Sequence, residues 1–198
     1  MSGALLLDCD GVIVDSEALN LRAWEAATGR SATGTATLAG LDLDAIFACF
    51  YGDGAAALGP AERQAILERK HARYAELAAE GLPLVPGIAA LVAEARALGW
   101  RVAIVSGAAP ARLDANLRAT GFAARVDLVL GGAKRWAEAA RLLGVAPAAC
   151  VALDDVATGV ATARAQGVGR VVGLGGGIAM LAAGAHEVVS RPDDLGLA

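Results

Sequence analysis

Short apolar runs rich in strand-forming residues recur at 4 to 7, 101 to 105, 126 to 130, 150 to 153 and 170 to 174, with a weaker one at 187 to 189. Ala/Leu/Arg segments of helical length separate them at 87 to 98, 110 to 119, 134 to 143, 157 to 166 and 177 to 183. The runs do not alternate polar with apolar, so each predicts a strand buried on both faces. Strands of that kind, each followed by a helix, have one economical solution: a parallel sheet with helices on both sides. The expected fold is α/β, a Rossmann-like three-layer parallel sheet. Helix punctuation agrees, with Pro86-Gly87 opening one segment, Pro110 near the start of another, and Gly99, Gly121, Gly144 and Gly167 each following a helix. Gly173 to Gly177 lacks the spacing of a nucleotide cradle and is expected to be a loop.

The stretch from 17 to 83 breaks the alternation. Glu17 to Thr28, Leu41 to Tyr51 and Pro60 to Glu80 carry helical patterns, with no strand among them. It is expected to be an inserted all-helical cap, residues 17–83, in a core formed by 1–16 and 84–198, with hinges at Val14 to Glu17 and Leu82 to Gly87.

Composition narrows the function. At 198 residues with 56% hydrophobic content and a mean hydropathy of +0.52, the chain can bury a large core. No apolar stretch is long enough to span a bilayer, and the N-terminus has no secretory pattern, so a cytoplasmic protein without membrane partners is expected. A net charge of -4 and no Lys/Arg cluster argue against nucleic acid. The three cysteines, Cys9, Cys49 and Cys150, are too few and too scattered for a disulfide framework or zinc site; Cys9 reads as small filler. Among 17 basic residues only Lys70 and Lys134 are lysines, which points to positions wanting a compact charge.

Parallel α/β sheets bind ligands beyond the carboxyl ends of their strands. The first run ends in Asp8-Cys9-Asp10-Gly11, the second in Ser106-Gly107 and the fourth in Asp154-Asp155; Lys134 follows the third after Gly131-Gly132-Ala133. Acids, a hydroxyl and an ammonium on one rim form a hard-oxygen site suited to Mg²⁺ and a phosphoryl group. Ser106 and Gly107 also precede a helix, whose N-terminus suits the same anion. If the chain stays extended through Asp10, the Asp8 and Asp10 carboxylates converge on one spot.

These strings resemble the haloacid dehalogenase superfamily of phosphotransferases. Asp8 to Glu17 is similar to its first motif, Ser106 to the second, Lys134 to the third, and Asp154-Asp155 to the fourth, with the insertion where the family carries its cap. The resemblance implies that Asp8 attacks phosphorus to form an aspartyl-phosphate and that Asp10 acts as acid and base. It implies Mg²⁺ held by Asp8, the Asp10 backbone carbonyl and Asp155, with Asp154 a ligand or one shell out, and phosphate held by Ser106, Gly107 and Lys134. Dehalogenating members lack the second aspartate, so Asp10 resembles the phosphotransferase branch. Receiver domains carry similar groups in the reverse order. Two positions depart from the pattern: Lys134-Arg135-Trp136-Ala137-Glu138 replaces Lys-Pro-x-Pro-Asp, and Val156 stands where Ser is frequent.

Asn20 to Trp24 and Glu68 to Tyr74 resemble the β-phosphoglucomutase-like branch, in which a lysine at the Lys70 position contacts the sugar phosphate; Lys70 and Asn20 are therefore candidate substrate contacts. His71 and His186 are read as non-catalytic. Asn20 replaces the mutases' histidine, and no Lys or Arg lies between Arg30 and Arg63 to hold a second phosphate. The expectation is a phosphatase for a small phosphorylated metabolite, a sugar phosphate, in a protein that is monomeric or weakly self-associating. The alternatives are a mutase and a non-catalytic phospholigand-binding protein, the latter disfavoured because all the acids are present.

Overall fold

The computed structural model describes residues 3–34 and 37–197. Six strands, β1 (Ala4–Leu7), β2 (Arg101–Val105), β3 (Leu128–Leu130), β4 (Cys150–Asp154), β5 (Arg170–Leu174) and β6 (Glu187–Val189), form one parallel sheet in the order β3-β2-β1-β4-β5-β6. The expected architecture is present. The order reverses direction beside β1, which opens a crevice at the carboxyl ends of β1 and β4.

Side chains alternate across the sheet and recruit different helices. Leu5 and Leu7 face α4 (Ile88–Ala97) and α5 (Pro110–Thr120), packing with Ile88, Leu91, Leu113 and Phe122. Ala4 and Leu6 face the opposite layer, with Trp136 and Ala140 of α6 (Trp136–Leu142), Val160 of α7 (Ala157–Ala165) and Met180 of α8 (Gly177–Ala182). All four β1 residues are fully buried, and complete burial of a leucine side chain contributes about 1.5–3 kcal/mol. This is the physical content of the uninterrupted apolar run.

Among the described residues between β1 and α4 the regular elements are helices: α1 (Glu17–Thr28), α2 (Leu43–Tyr51), α3 (Pro60–Glu80) and a short 3₁₀ turn at Gly52–Ala57. They enclose a cluster of their own around Trp24, Phe47, Phe50 and Ile66, where Trp24 meets Phe47 edge-on at 5.5 Å. The base of the insertion shares the main core instead: Ala23, Tyr74, Leu77 and Ala78 pack with the sheet and α5. The two chain connections run side by side, with Asp15 N–H donating to Pro83 O (3.0 Å) and Val85 N–H to Ile13 O (2.9 Å).

Three boundaries differ from expectation. The third strand begins at Leu128 rather than 126, because the Asp127 carboxylate accepts the Val102 N–H (2.8 Å) and so occupies a ladder position. Lys134 lies in the loop before α6, not in the helix. Of the glycine run, Gly173 belongs to β5 and Gly177 to α8; Gly175 and Gly176 make the turn, both with positive φ.

Candidate active site

Asp8 follows β1, Ser106 follows β2, and Asp154 ends β4 with Asp155 next; the loop after β3 brings Lys134 across to them. Lys134 Nζ donates to Asp8 Oδ2 (2.9 Å) and pairs with Asp154 Oδ2. Oxygens of Asp8, Asp154 and Asp155 lie within 4.8 Å of one another. Three carboxylates thus crowd together with one ammonium that pairs with two of them, in a place where Asp154 is fully buried and Asp8 nearly so. Burial, with Asp154 beside it, pushes the Asp8 carboxyl well up, and the same causes push Asp155 up to about 7. Burial works against the Lys134 charge, but Asp8 and Asp154 more than reverse this and raise its pKa.

Two glycines make the crowding possible. Gly11 turns the chain at φ 75°, and a Cβ there would collide with the Asp155 carboxylate; one on Gly159, in α7, would strike that of Asp154. The donor set fits a divalent cation. Asp8 Oδ1 is buried with no hydrogen-bond partner among the described residues, and hard oxygens in negative excess are what such an ion neutralises. The two Asp154 oxygens are already engaged, one by Lys134 and one by the Val156 N–H (3.0 Å). A serine at 156 is not needed for that backbone contact.

Ser106 is buried and its Oγ accepts the Ala108 N–H (3.1 Å), so one N–H at this helix entrance is committed within the protein. Gly107 lines the site beside Lys134. The acid expected after Lys134 has a replacement that the sequence did not announce. Gln166, just past α7, donates from Nε2 to Lys134 O (2.8 Å) and accepts the Ala137 N–H at Oε1 (3.0 Å), tying the loop to α6.

Asp10 does not converge with Asp8. The chain has turned, and Asp10 Oδ1 accepts from Ser16 Oγ (2.6 Å), Arg112 Nη2 (2.7 Å) and Asn116 Nδ2 (3.0 Å). Its carboxylate is outside the acid cluster, so any contribution to a cation there comes from its backbone. Arg112 and Asn116, both on α5, escaped the sequence reading, as did Tyr74, whose hydroxyl donates to Asn116 Oδ1 (2.6 Å). Burial pushes the Tyr74 phenol up to about 12, which keeps it a donor. Cys9 behaves as filler: it is buried, its thiol is pushed up, and its Sγ only receives Asn116 Nδ2 at 3.7 Å.

A cavity of about 900 Å³ opens over these groups, roofed by the insertion. Asn20 is buried at its edge, and its Oδ1 accepts from Arg112 Nη1 (3.1 Å). Lys70 is 4% exposed, forms no hydrogen bond or ion pair among the described residues, and lies over the rings of Trp24 (5.6 Å) and Tyr74 (5.3 Å). Burial, then the Arg112 charge, lowers its amine to about 7. His71 lines the cavity, while His186 is not part of its lining and accepts the Val171 N–H (2.8 Å).

Residues 3–167 match the family model of haloacid dehalogenase-like hydrolases. The chain is a member of that family. Protein CbbY from a Cupriavidus necator plasmid is 33% identical over 197 residues, spanning 85% of this chain and 77% of that protein. Beta-phosphoglucomutase of Bacillus subtilis is 29% identical over 212 residues, spanning 98% and 92%. Among solved structures, CbbY of Rhodobacter sphaeroides in complex with phosphate has a TM-score of 0.71 at 27% identity, covering 99% of this chain and 97% of that one. A mutant of that CbbY has been solved with xylulose-(1,5)bisphosphate, with the same TM-score and coverage. The family resemblance read from the motifs is therefore confirmed, and the protein is a hydrolase of the haloacid dehalogenase-like type. Among the described residues no helix is long and apolar enough to cross a membrane.

Proposed function

We propose that this hydrolase is a Mg²⁺-dependent phosphatase acting on a small phosphorylated sugar through an aspartyl-phosphate on Asp8. The observation that carries the proposal is the buried Asp8 Oδ1, without a hydrogen-bond partner among the described residues, in a cluster with Asp154, Asp155, Lys134 and Ser106. Mg²⁺ held by Asp8, Asp155 and the Asp10 backbone would offset the repulsion between an anionic nucleophile and an anionic phosphate. Asp154, with both oxygens engaged, anchors Lys134 from behind. Lys134 has three donors and spends two on carboxylates, leaving one for a phosphoryl oxygen; Ser106 Oγ supplies another.

In the first half-reaction an Asp8 oxygen bonds to phosphorus as the bond to the leaving oxygen breaks, and Asp10 gives that oxygen its proton. In the second, water attacks phosphorus, Asp10 takes the water's proton, and the Asp8 carboxylate is regenerated as phosphate departs. Residues 17–83 serve as a cap that excludes water during these steps. Lys70, buried in the cavity and unpaired among the described residues, contacts the remote end of the substrate, with Asn20 at the rim.

Hydrolysis is favoured over mutase chemistry by the cavity wall. The segment from Thr37 to Ile46 lines it with Leu38, Leu41, Leu43 and Ile46 and brings no cation for a second phosphate. A panel of sugar mono- and bisphosphates, with Mg²⁺ or EDTA, tests both points. Free phosphate should appear only with Mg²⁺, and Asp8→Asn should lose at least about 10³-fold in kcat. Isomerised sugar phosphate without free phosphate would establish the mutase, and no Mg²⁺-dependent turnover above Asp8→Asn would overturn the enzyme reading.

A further inference from the structure

Asp10 is held by one oxygen. Three donors converge on Oδ1, from Ser16, Arg112 and Asn116, whereas Oδ2 has no hydrogen-bond partner among the described residues and belongs to a side chain lining the cavity. The positive φ of Gly11 turns the chain immediately after Asp10, so continuation of β1 does not aim this carboxylate. Its direction is set from elsewhere.

Arg112 and Asn116 stand one helical turn apart on the same face of α5. Each is oriented by the insertion. Arg112 Nη1 donates to Asn20 of α1 (3.1 Å), its Nη2 also reaches Ser16 Oγ (3.2 Å), and its guanidinium lies 4.9 Å from the centre of the Tyr74 ring of α3. The Tyr74 hydroxyl fixes which way round the Asn116 amide sits: with Oδ1 accepting from tyrosine, Nδ2 must face Asp10. The guanidinium leaves Nε buried without a partner among the described residues, so its placement is not the arrangement that best satisfies Arg112 itself. Each terminal nitrogen already donates within the protein, Nη1 to Asn20 and Nη2 to Asp10 and Ser16, which fixes the plane of the guanidinium.

We propose that Arg112 is a positioning residue for Asp10, and that Arg112, Asn116 and Tyr74 together make the aim of that carboxylate depend on the helical insertion being docked against α5. The inference rests on Asp10 being the acid–base group of the proposed reaction. Proton transfer then uses Oδ2, because Oδ1 is saturated with donors. A carboxylate freed from this grip still binds no less substrate, but it meets the leaving oxygen less often in line.

The test exploits two substrates of nearly equal shape. Phenyl phosphate needs its leaving oxygen protonated, and p-nitrophenyl phosphate needs this far less. Arg112→Met keeps an unbranched apolar side chain at this position and removes the donors; it should lower kcat about 100-fold on phenyl phosphate and under about 10-fold on p-nitrophenyl phosphate, with KM nearly unchanged. Tyr74→Phe, which deletes a single hydroxyl and spares the packing, should give the same selective loss at smaller size, and Arg112→Lys should recover part of it. In an Asp10→Asn background, Arg112→Met should add nothing. Equal losses on both substrates, a change confined to KM, or full additivity with Asp10→Asn would overturn the positioning role. If Asp10→Asn itself shows no preference for the poor leaving group, the acid–base reading of Asp10 falls, whatever Arg112→Met does. A thermal melt of each variant shows whether a loss reflects unfolding.

Discussion

Lys70 is a buried charge that the fold accommodates at a cost. An amine taken out of water without an anion beside it is stabilised in its neutral form, and burial lowers this one from 10.5 to about 7. The unfolded chain therefore binds more protons between those values, so this residue makes stability rise with pH from about 7 to about 10.5. Below that window both states are charged and the penalty is complete. Lys70→Met should stabilise the empty protein by on the order of 2 kcal/mol at pH 6, with the gain fading towards pH 10, as urea melts at several pH values would show. The same change should raise KM for the proposed sugar phosphate substrate, which is the contrast expected of a charge kept for a ligand. Lys134 is the opposite case. Its partners are carboxylates, so its charge is favoured and its role is bound to the cluster.

At the scale of elements, loops between strands and helices set the site, and each is tied down by a contact remote in sequence. Gln166 bridges the Lys134 carbonyl and the first turn of α6. Replacing it with leucine would leave a carbonyl and an N–H without partners, which costs about 1–3 kcal/mol where they are buried. Gln166→Leu should accordingly lower the urea midpoint, raise KM for phosphate monoesters and speed amide exchange at Ala137. The strand-end residues Asp8, Ser106, Asp154 and Asp155 were legible because a buried strand must end in the crevice, whatever follows it. Arg112 and Asn116 were not, since a polar pair one turn apart on a helix reads as a solvated face. Only the full burial of Asn116 distinguishes it, and burial is not written in local spacing.

The whole molecule has one sheet with two packed faces and a helical insertion that is half independent. Trp24, Phe47, Phe50 and Ile66 form a separate cluster, but Tyr74, Leu77 and Ala78 belong to the main core, and Tyr74 is hydrogen-bonded into α5. Shared packing of that kind couples the parts, so Trp24 fluorescence, isolated by replacing Trp100 and Trp136 with phenylalanine, should unfold in urea together with far-UV circular dichroism. Two separated transitions would show that the insertion melts on its own. The alternation of buried strands and helices, read along the chain, determined the parallel sheet and the edge at which its acids, hydroxyl and lysine emerge, because period and strand polarity are local properties. Which of those groups touch was decided by tertiary structure alone. Asp8 and Asp10, two residues apart, part company at Gly11: one joins Lys134 and the other joins Arg112 and Asn116, more than a hundred residues away in sequence. Electrostatic partnership depends on distance through space, and no local pattern carries that distance.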